Sequence, residues 1–495
     1  MNHWIWLSII CFFAFVFVIG LRRQSKNDLE SHFGNQSASW WQMCFSITAT
    51  EASALTFIAV PALSFSSDTA FWHLYLCAFF ARPILALFFL NPFFESLSHE
   101  RKLLKENPYQ ENKMGRKKAL TTYGFIGSRL GPQLGLLSLW GFMCMRLLAS
   151  GVRLYVGALL VQQLTGLPLT ISIASFLAAA LVYSYSGGIN SVIKTDLVQF
   201  MFLLASGTAL LSWFGSQGGF DPAFFQEKWS PLNFSFSLQE SYTLPAVLLS
   251  LTIFDLATHA ADFDLFQRLM AGKSLAQAKA AIVLSSLSSA LVGFLFLFVG
   301  VTFYGFVSSQ TPNLPETSGR EVYTFALTQL LPTGLKALVV VGLLAACLSS
   351  LDSAVTSIET VWKRDLAPAL PKLDWSRLWI FTVVAGGLFF VALLAAASPN
   401  ILELGLQVQS YVVVPILFLL IAAVAHWNPS PSYLAFLFFL SLGTQLFLVS
   451  QSWIAWAWGP LSVALVFALG ALPLLFVQNR KKSINPKKAT GNLGS

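Results

Sequence analysis

Charge is what this 495-residue chain has little of: Asp, Glu, Lys and Arg together make up 11% of it, against about 25% in a soluble domain. Hydrophobic types supply 56%. A soluble chain this poor in charge could not cover itself with polar surface, so the lipid bilayer must be the solvent for most of it. Cysteine is scarce too. Cys11, Cys44, Cys77, Cys144 and Cys347 all lie in apolar runs, which points away from disulfides and zinc and towards small buried side chains. There are six His, with no catalytic His or paired acids beside a phosphate-binding cluster, which an intramembrane transferase would need. No hydrophilic stretch is long enough for a soluble output domain, and no continuous pore-lining motif is present. No Lys or Arg precedes the apolar run 4–20, whereas Arg22, Arg23 and Lys26 follow it. That order reads as a membrane helix entering with its N-terminus outside, not as a cleaved signal peptide.

A helix needs about 20 apolar residues to cross the hydrocarbon core. Runs of that size predict thirteen spans, at 3–20, 40–64, 70–95, 133–163, 167–186, 195–216, 242–260, 281–307, 335–361, 378–397, 401–425, 432–450 and 456–477. The positive-inside rule tests the count independently. With the N-terminus outside, the alternate connections and the tail hold 24 of the 30 basic residues. One helix more or fewer in the middle would invert half of that pattern. The expectation is an all-α polytopic protein of the bacterial inner membrane with a cytoplasmic C-terminus. The net charge of +8 is therefore a topology signal and not a nucleic-acid one.

A charge at the bilayer centre costs at least about 2.5–3.5 kcal/mol, so intramembrane charges usually face a cavity. Glu51, Arg146, Arg153, Asp255, Asp352 and Glu403 fall within spans, with Asp196 near a span end. Two segments say more than single charges. Residues 46–56 are dense in small hydroxyl side chains and are followed by Pro61, which removes a backbone donor. Such a segment can unwind, and its freed carbonyls can ligate a cation where it faces a cavity. Residues 345–353 place Ser349, Ser350, Asp352 and Ser353 within five positions. Carbonyls and neutral hydroxyls hold sodium loosely enough for release. Small residues also permit close helix packing, which is the competing reading of both segments.

These segments belong to a set of four that resembles the sodium/solute symporter family, which includes sodium-coupled sugar, proline and sialic acid carriers. The four are 49–57; Tyr183 to Gly188 with 192–199; 257–268, with His259, Asp262, Gln267 and Arg268; and 345–357. They occur in family order and cover the transporting core. The resemblance implies a LeuT-type arrangement of two inverted five-helix repeats, 39–216 and 241–425. An extra helix and linker at 1–38 would precede this core of 39–425. Two helices at 426–478 and a basic tail at 479–495 would follow it.

The resemblance also implies a site. The main sodium ion would take the carbonyls of Ala49, Ala52 and Ala346 and the hydroxyls of Ser349 and Ser350. A second sodium would involve Asp196, Ser349, Ser353 and Asp352, although Asp352 stands where members can have Ser. Ser53, Thr56, Glu51, His73, Asp255, Thr258 and Gln407 would face the solute. Glu51 departs from the Asn or Gln common there. Arg146 and Arg153 flank, without matching, the position where sialic acid carriers keep an arginine. The implied partners are sodium, a small organic solute and the bilayer. Sugars and their derivatives (a hexose, inositol or sialic acid) come first, with amino acids and monocarboxylates as alternatives.

Overall fold

The structure is a computed structural model that describes residues 3–20, 32–106, 121–184, 188–310, 319–367, 376–397, 401–427 and 429–484. Tyr185, Ser186 and Gly187 of the second family-like stretch lie outside the described residues. So do the basic clusters at 22–26 and 113–118, and the Glu403 side chain is not described. Among the described residues the elements are helical, and a single isolated bridge joins Ala38 to Gly272.

Helices occupy the segments that hydropathy marks out. Among the described residues, eight are long and apolar enough to cross a membrane: Ala70–Phe88, Pro132–Thr165, Ile189–Gly219, Leu275–Gln310, Thr333–Leu366, Leu378–Ala395, Leu404–Val424 and Pro431–Ser450. Two more qualify only as bent pairs, Trp40–Glu51 with Ala54–Ser66 and Leu244–Ala260 with Phe263–Met270. Three shorter apolar helices, His3–Ile19, Leu169–Leu181 and Trp456–Leu472, fall on the other expected runs. The run at 70–95 divides at Phe89, and an amphipathic helix continues from Leu90 to Glu106.

Burial separates the lipid-facing helices from the central one. In Thr333–Leu366, 94% of the apolar window is buried, against 28% in Pro431–Ser450. The central helix packs against Ile189–Phe214, Pro132–Thr165 and the first bent pair. Its small residues make this possible: a Cβ added at Gly342 would stand 3.0 Å from the Phe202 carbonyl oxygen. Without a hydrophobic drive between helices in lipid, such backbone approach is what holds a bundle together. It also presses the serine-rich face against the first bend.

Candidate functional site

The first bent pair turns by 59° at Ala52 and Ser53. Ala52 leaves the helical conformation with ψ 73°, and Ser53 is extended. The Ser53 hydroxyl then caps the new helix by accepting from the Leu55 N–H at 3.3 Å, as an N-cap should. Pro61 sits well inside the second half, so the break comes earlier than the proline and falls in the hydroxyl-rich stretch. The C-terminal end of that half is tied down by Lys228. Its ammonium donates to the carbonyls of Phe65 and Ser67, each at 2.9 Å, and lies 4.0 Å from the Tyr304 ring centroid. Burial lowers the pKa of Lys228 from its usual value.

The serine-rich helix Thr333–Val361 meets this break. The Ser349 hydroxyl lies 3.0 Å from the Ala49 carbonyl oxygen and 3.1 Å from that of Ala346. The Ser350 hydroxyl lies 3.3 Å from the Thr50 carbonyl and 3.4 Å from that of Ala346. Four of the five groups expected to hold the main sodium are thus gathered within hydrogen-bonding reach across about 300 residues of sequence. Ala52, the fifth, sits at the bend itself. The donor set is neutral oxygen throughout, which suits a hard, weakly held cation.

Below it lies a charged cluster. Arg268 reaches Asp196 at 3.1 Å and Asp264 at 3.1 Å, donates to the Ser46 hydroxyl at 2.9 Å and hydrogen-bonds Ser353. Ser46 donates in turn to Asp196 at 2.5 Å, and Ser353 to the Ser349 carbonyl. Asp196, Ser349 and Ser353 are brought together as expected, but a tethered guanidinium stands among them. Asp196 Oδ1 is buried with no hydrogen bond among the described residues. Asp352 is buried on the serine-rich helix Thr333–Val361.

Above the break is a cavity of about 160 Å³ whose lining includes Glu51, Ser53, Thr56, Asp255 and Thr258, all expected to face solute. Glu51 is heavily engaged. One oxygen accepts from Arg82 at 2.8 Å and from His259, and the other from Ser289. Arg82 also reaches Asp255 at 3.5 Å and donates to Ser285 at 2.6 Å. Arg82 and its serine partners received no role from sequence. The available signal was an arginine beside Pro83 in the middle of an apolar run. His259, from the third family-like stretch, also lines the cavity. The Thr258 hydroxyl has no hydrogen-bond partner among the described residues.

Two expected solute residues are absent from that lining. His73 is buried beneath the segment that follows Lys228. Its Nδ1 meets the Ala70 carbonyl at 2.7 Å, its Nε2 faces the Asn233 N–H at 3.3 Å, and its ring stacks on Trp72. Its ring nitrogens are occupied by backbone, which makes it a packing residue. Gln407 gives way to Gln409, which lines the cavity and donates to Asp262 at 3.4 Å.

The second bent pair turns by 57° at Ala261 and Asp262. Here the Tyr123 hydroxyl donates to the Ala261 carbonyl at 2.9 Å and accepts from the Phe263 N–H at 3.2 Å. Asp262 caps the following helix through the Asp264 N–H at 3.1 Å. Arg146 pairs with Asp262, and with Asp264 at 3.0 Å. Arg153, two turns further along the same helix, also lines the cavity. It makes no hydrogen bond or ion pair with a described residue, and its Nε and Nη1 are shielded from solvent.

The model of the Sodium:solute symporter family matches residues 32–430. The chain is 25% identical over 407 residues to the sodium/sialic acid symporter NanT of Aliivibrio fischeri, covering 78% of this chain and 76% of that protein. It is 26% identical over 369 residues to a sodium/glucose cotransporter of Vibrio parahaemolyticus, covering 70% of this chain and 64% of that one. Among solved structures, a substrate-bound, outward-open Na+-coupled sialic acid symporter superposes with a TM-score of 0.81 at 18% identity, over 95% of this chain and 97% of the other. Mhp1, a nucleobase-cation-symport-1 transporter, gives 0.55 at 12% identity, over 92% and 96%. The two superpositions carry the fold, the matched model carries the kinship, and the chain belongs to the sodium:solute symporter family with the LeuT-type architecture of its members.

Proposed function

We propose that this protein is a sodium-coupled importer of a sugar or sugar derivative. Sodium would occupy the carbonyls of Ala49, Ala52 and Ala346 and the hydroxyls of Ser349 and Ser350, and the solute would sit above it among Glu51, Ser53, Thr56, Asp255 and Thr258. The observation that carries the reading is the approach of Ser349 and Ser350 to the carbonyls at the first bend, beside a largely apolar cavity that carries a few charged and hydroxyl side chains. The names of the relatives, which include sodium/sialic acid, sodium/glucose and sodium/myo-inositol carriers, support the solute class. The positive-inside distribution supports an outside N-terminus and a cytoplasmic C-terminus. The division into repeats at 39–216 and 241–425 is supported by a bent pair near the start of each.

The mechanism follows from linkage. An ion shared by the bend and the serine-rich helix ties the two together and orders the bend that the solute contacts, so each ligand raises the affinity for the other. Entry of one sodium down about 100 mV releases roughly 2.3 kcal/mol, and a tenfold gradient adds about 1.4 kcal/mol. One ion would sustain a solute ratio of a few hundredfold. A second, at Asp196 and Ser353, would square it, provided that Arg268 yields room. A thermal-shift screen of purified protein in sodium and then in potassium tests the proposal. Sodium-dependent stabilisation by a sugar is the expected result. Equal melting in the two salts, with every solute, would remove sodium coupling.

A further inference from the structure

Two cavities away from the solute site lie where the first helix, His3–Gly20, meets the N-terminal turns of the central, serine-rich helix. One is an apolar cleft of about 650 Å³, walled by Phe12 and Phe15 of the first helix, by Phe202, and by Ala337, Leu338 and Val341 of the central one. Phe15 is 52% exposed, so the cleft opens sideways towards lipid. From Gly334 to Val341 the central helix rises about 10 Å, against about 15 Å for one leaflet's half of the hydrocarbon core. A Cβ added at Gly334, in the wall of the cleft, would meet nothing within 4 Å beyond its own turn of helix.

The second cavity, of about 260 Å³, is polar, with Gln163, Thr328, Gln329, Thr333 and Lys336 in its lining. The two adjoin at one turn of the central helix. Thr333 and Lys336 line the polar cavity, and the residues that follow each, Gly334 and Ala337, line the cleft. On the first helix Ile5 borders the polar cavity and Ser8, one turn on, the cleft. Lys336 is half-buried. Its ammonium makes no ion pair or hydrogen bond with a described residue, and no acidic side chain there acts on it. Lys228, by contrast, is met by two carbonyls at 2.9 Å. The turn is also the positive end of the helix dipole, and its N-cap, Pro332, supplies no side-chain oxygen.

We infer that the two cavities together bind one anionic phospholipid, with its phosphate at Lys336 and an acyl chain in the cleft. Hydrocarbon, not water, fills an apolar cleft that opens into a bilayer. A basic residue near the membrane surface attracts an anionic headgroup, and the amides of Gln163 and Gln329 can donate to phosphate and ester oxygens. A soluble anion would leave the cleft unfilled. An uncharged lipid would leave the ammonium unmet, and a zwitterionic headgroup would bring its own cation to a site that already has one. A molecule that joins a net negative phosphate to hydrocarbon answers both cavities at once. Bound there, it bridges a helix that precedes the matched core, 32–430, to the helix that carries Ser349 and Ser350.

The test uses the full chain, purified in detergent and stripped of lipid. Phosphatidylglycerol and phosphatidylcholine with identical chains are added back, and binding is read by native mass spectrometry and thermal shift. The parent should retain one phosphatidylglycerol and bind it about tenfold more tightly than phosphatidylcholine, the worth of one hydrogen bond to a charged group. Lys336→Gln should abolish that preference, and Lys336→Arg should keep it. Gly334→Leu, whose added side chain starts in open space, should weaken both lipids about tenfold by occupying the cleft, a loss of buried hydrocarbon. Glycerol 3-phosphate, a phosphate headgroup without chains, should leave the melting temperature unchanged. Equal binding of the two lipids by the parent would overturn the inference, as would a preference that survives Lys336→Gln. Lipid binding unaltered by Gly334→Leu would empty the cleft of its proposed chain. Stabilisation by glycerol 3-phosphate equal to that by phosphatidylglycerol would make this a site for free anions and not for lipid. None of these readouts involves sodium or solute, so the result stands apart from the proposed transport activity.

Discussion

The two bent helices turn by nearly the same angle, 59° and 57°, and satisfy their broken backbones in opposite ways. At the first bend the new helix is capped by a neutral serine, Ser53, and the neighbouring carbonyls are met by the hydroxyls of Ser349 and Ser350. At the second the cap is an aspartate, Asp262, held by Arg146, and a phenol bridges the break from Ala261 to Phe263. In lipid every freed backbone group needs a partner. Neutral hydroxyls can give up their hydrogen bonds to an ion at small net cost. A buried ion pair cannot be exchanged so cheaply. The first bend is thus built to trade partners during a cycle, and the second to keep them.

The strongest test of that contrast is Arg146→Ala. It strands Asp262 and part of Asp264 and should cost about 3–5 kcal/mol, seen as a large fall in melting temperature. A fall no greater than that of a surface substitution would show the second bend to be as loosely held as the first. Tyr123→Phe is milder. Removing the phenolic oxygen leaves one buried carbonyl and one N–H unmet, worth about 1–3 kcal/mol. The expected outcome is a lower melting temperature with an unchanged half-saturating sodium concentration. A shift in sodium dependence would place an ion at both bends. Ser350→Ala should have the smallest effect on stability and the clearest on coupling. Loss of one hydroxyl ligand should raise half-saturating sodium roughly tenfold, about 1.4 kcal/mol. Sodium dependence equal to the parent's would remove Ser350 from the site.

The same contrast explains what could be read early. Hydropathy and basic clusters are local, because each membrane helix must satisfy its own backbone in lipid, and they marked out the runs on which the helices lie. The first bend was legible because a run of hydroxyl residues inside an apolar segment marks either close helix packing or an ion site. The second was legible only as a family-like stretch, since its partner Tyr123 lies 138 residues away from Ala261. Gln407 was chosen where Gln409 lines the cavity. Two residues along a helix turn by about 200°, so a small error of register changes the face. His73 carried no sequence sign that the segment after Lys228 would cover it.

The sequence by itself determined that lipid is the solvent, where the helices run, and that serines and small residues accumulate at two places in the core. These follow from the cost of bringing each residue into hydrocarbon, a cost paid one residue at a time. Only the tertiary structure decided which charges neutralise one another. Glu51 meets Arg82 and His259, Asp262 meets Arg146, and Asp196 meets Arg268. Electrostatic pairing acts through space across helices distant in sequence, and no run of residues records which partner will arrive.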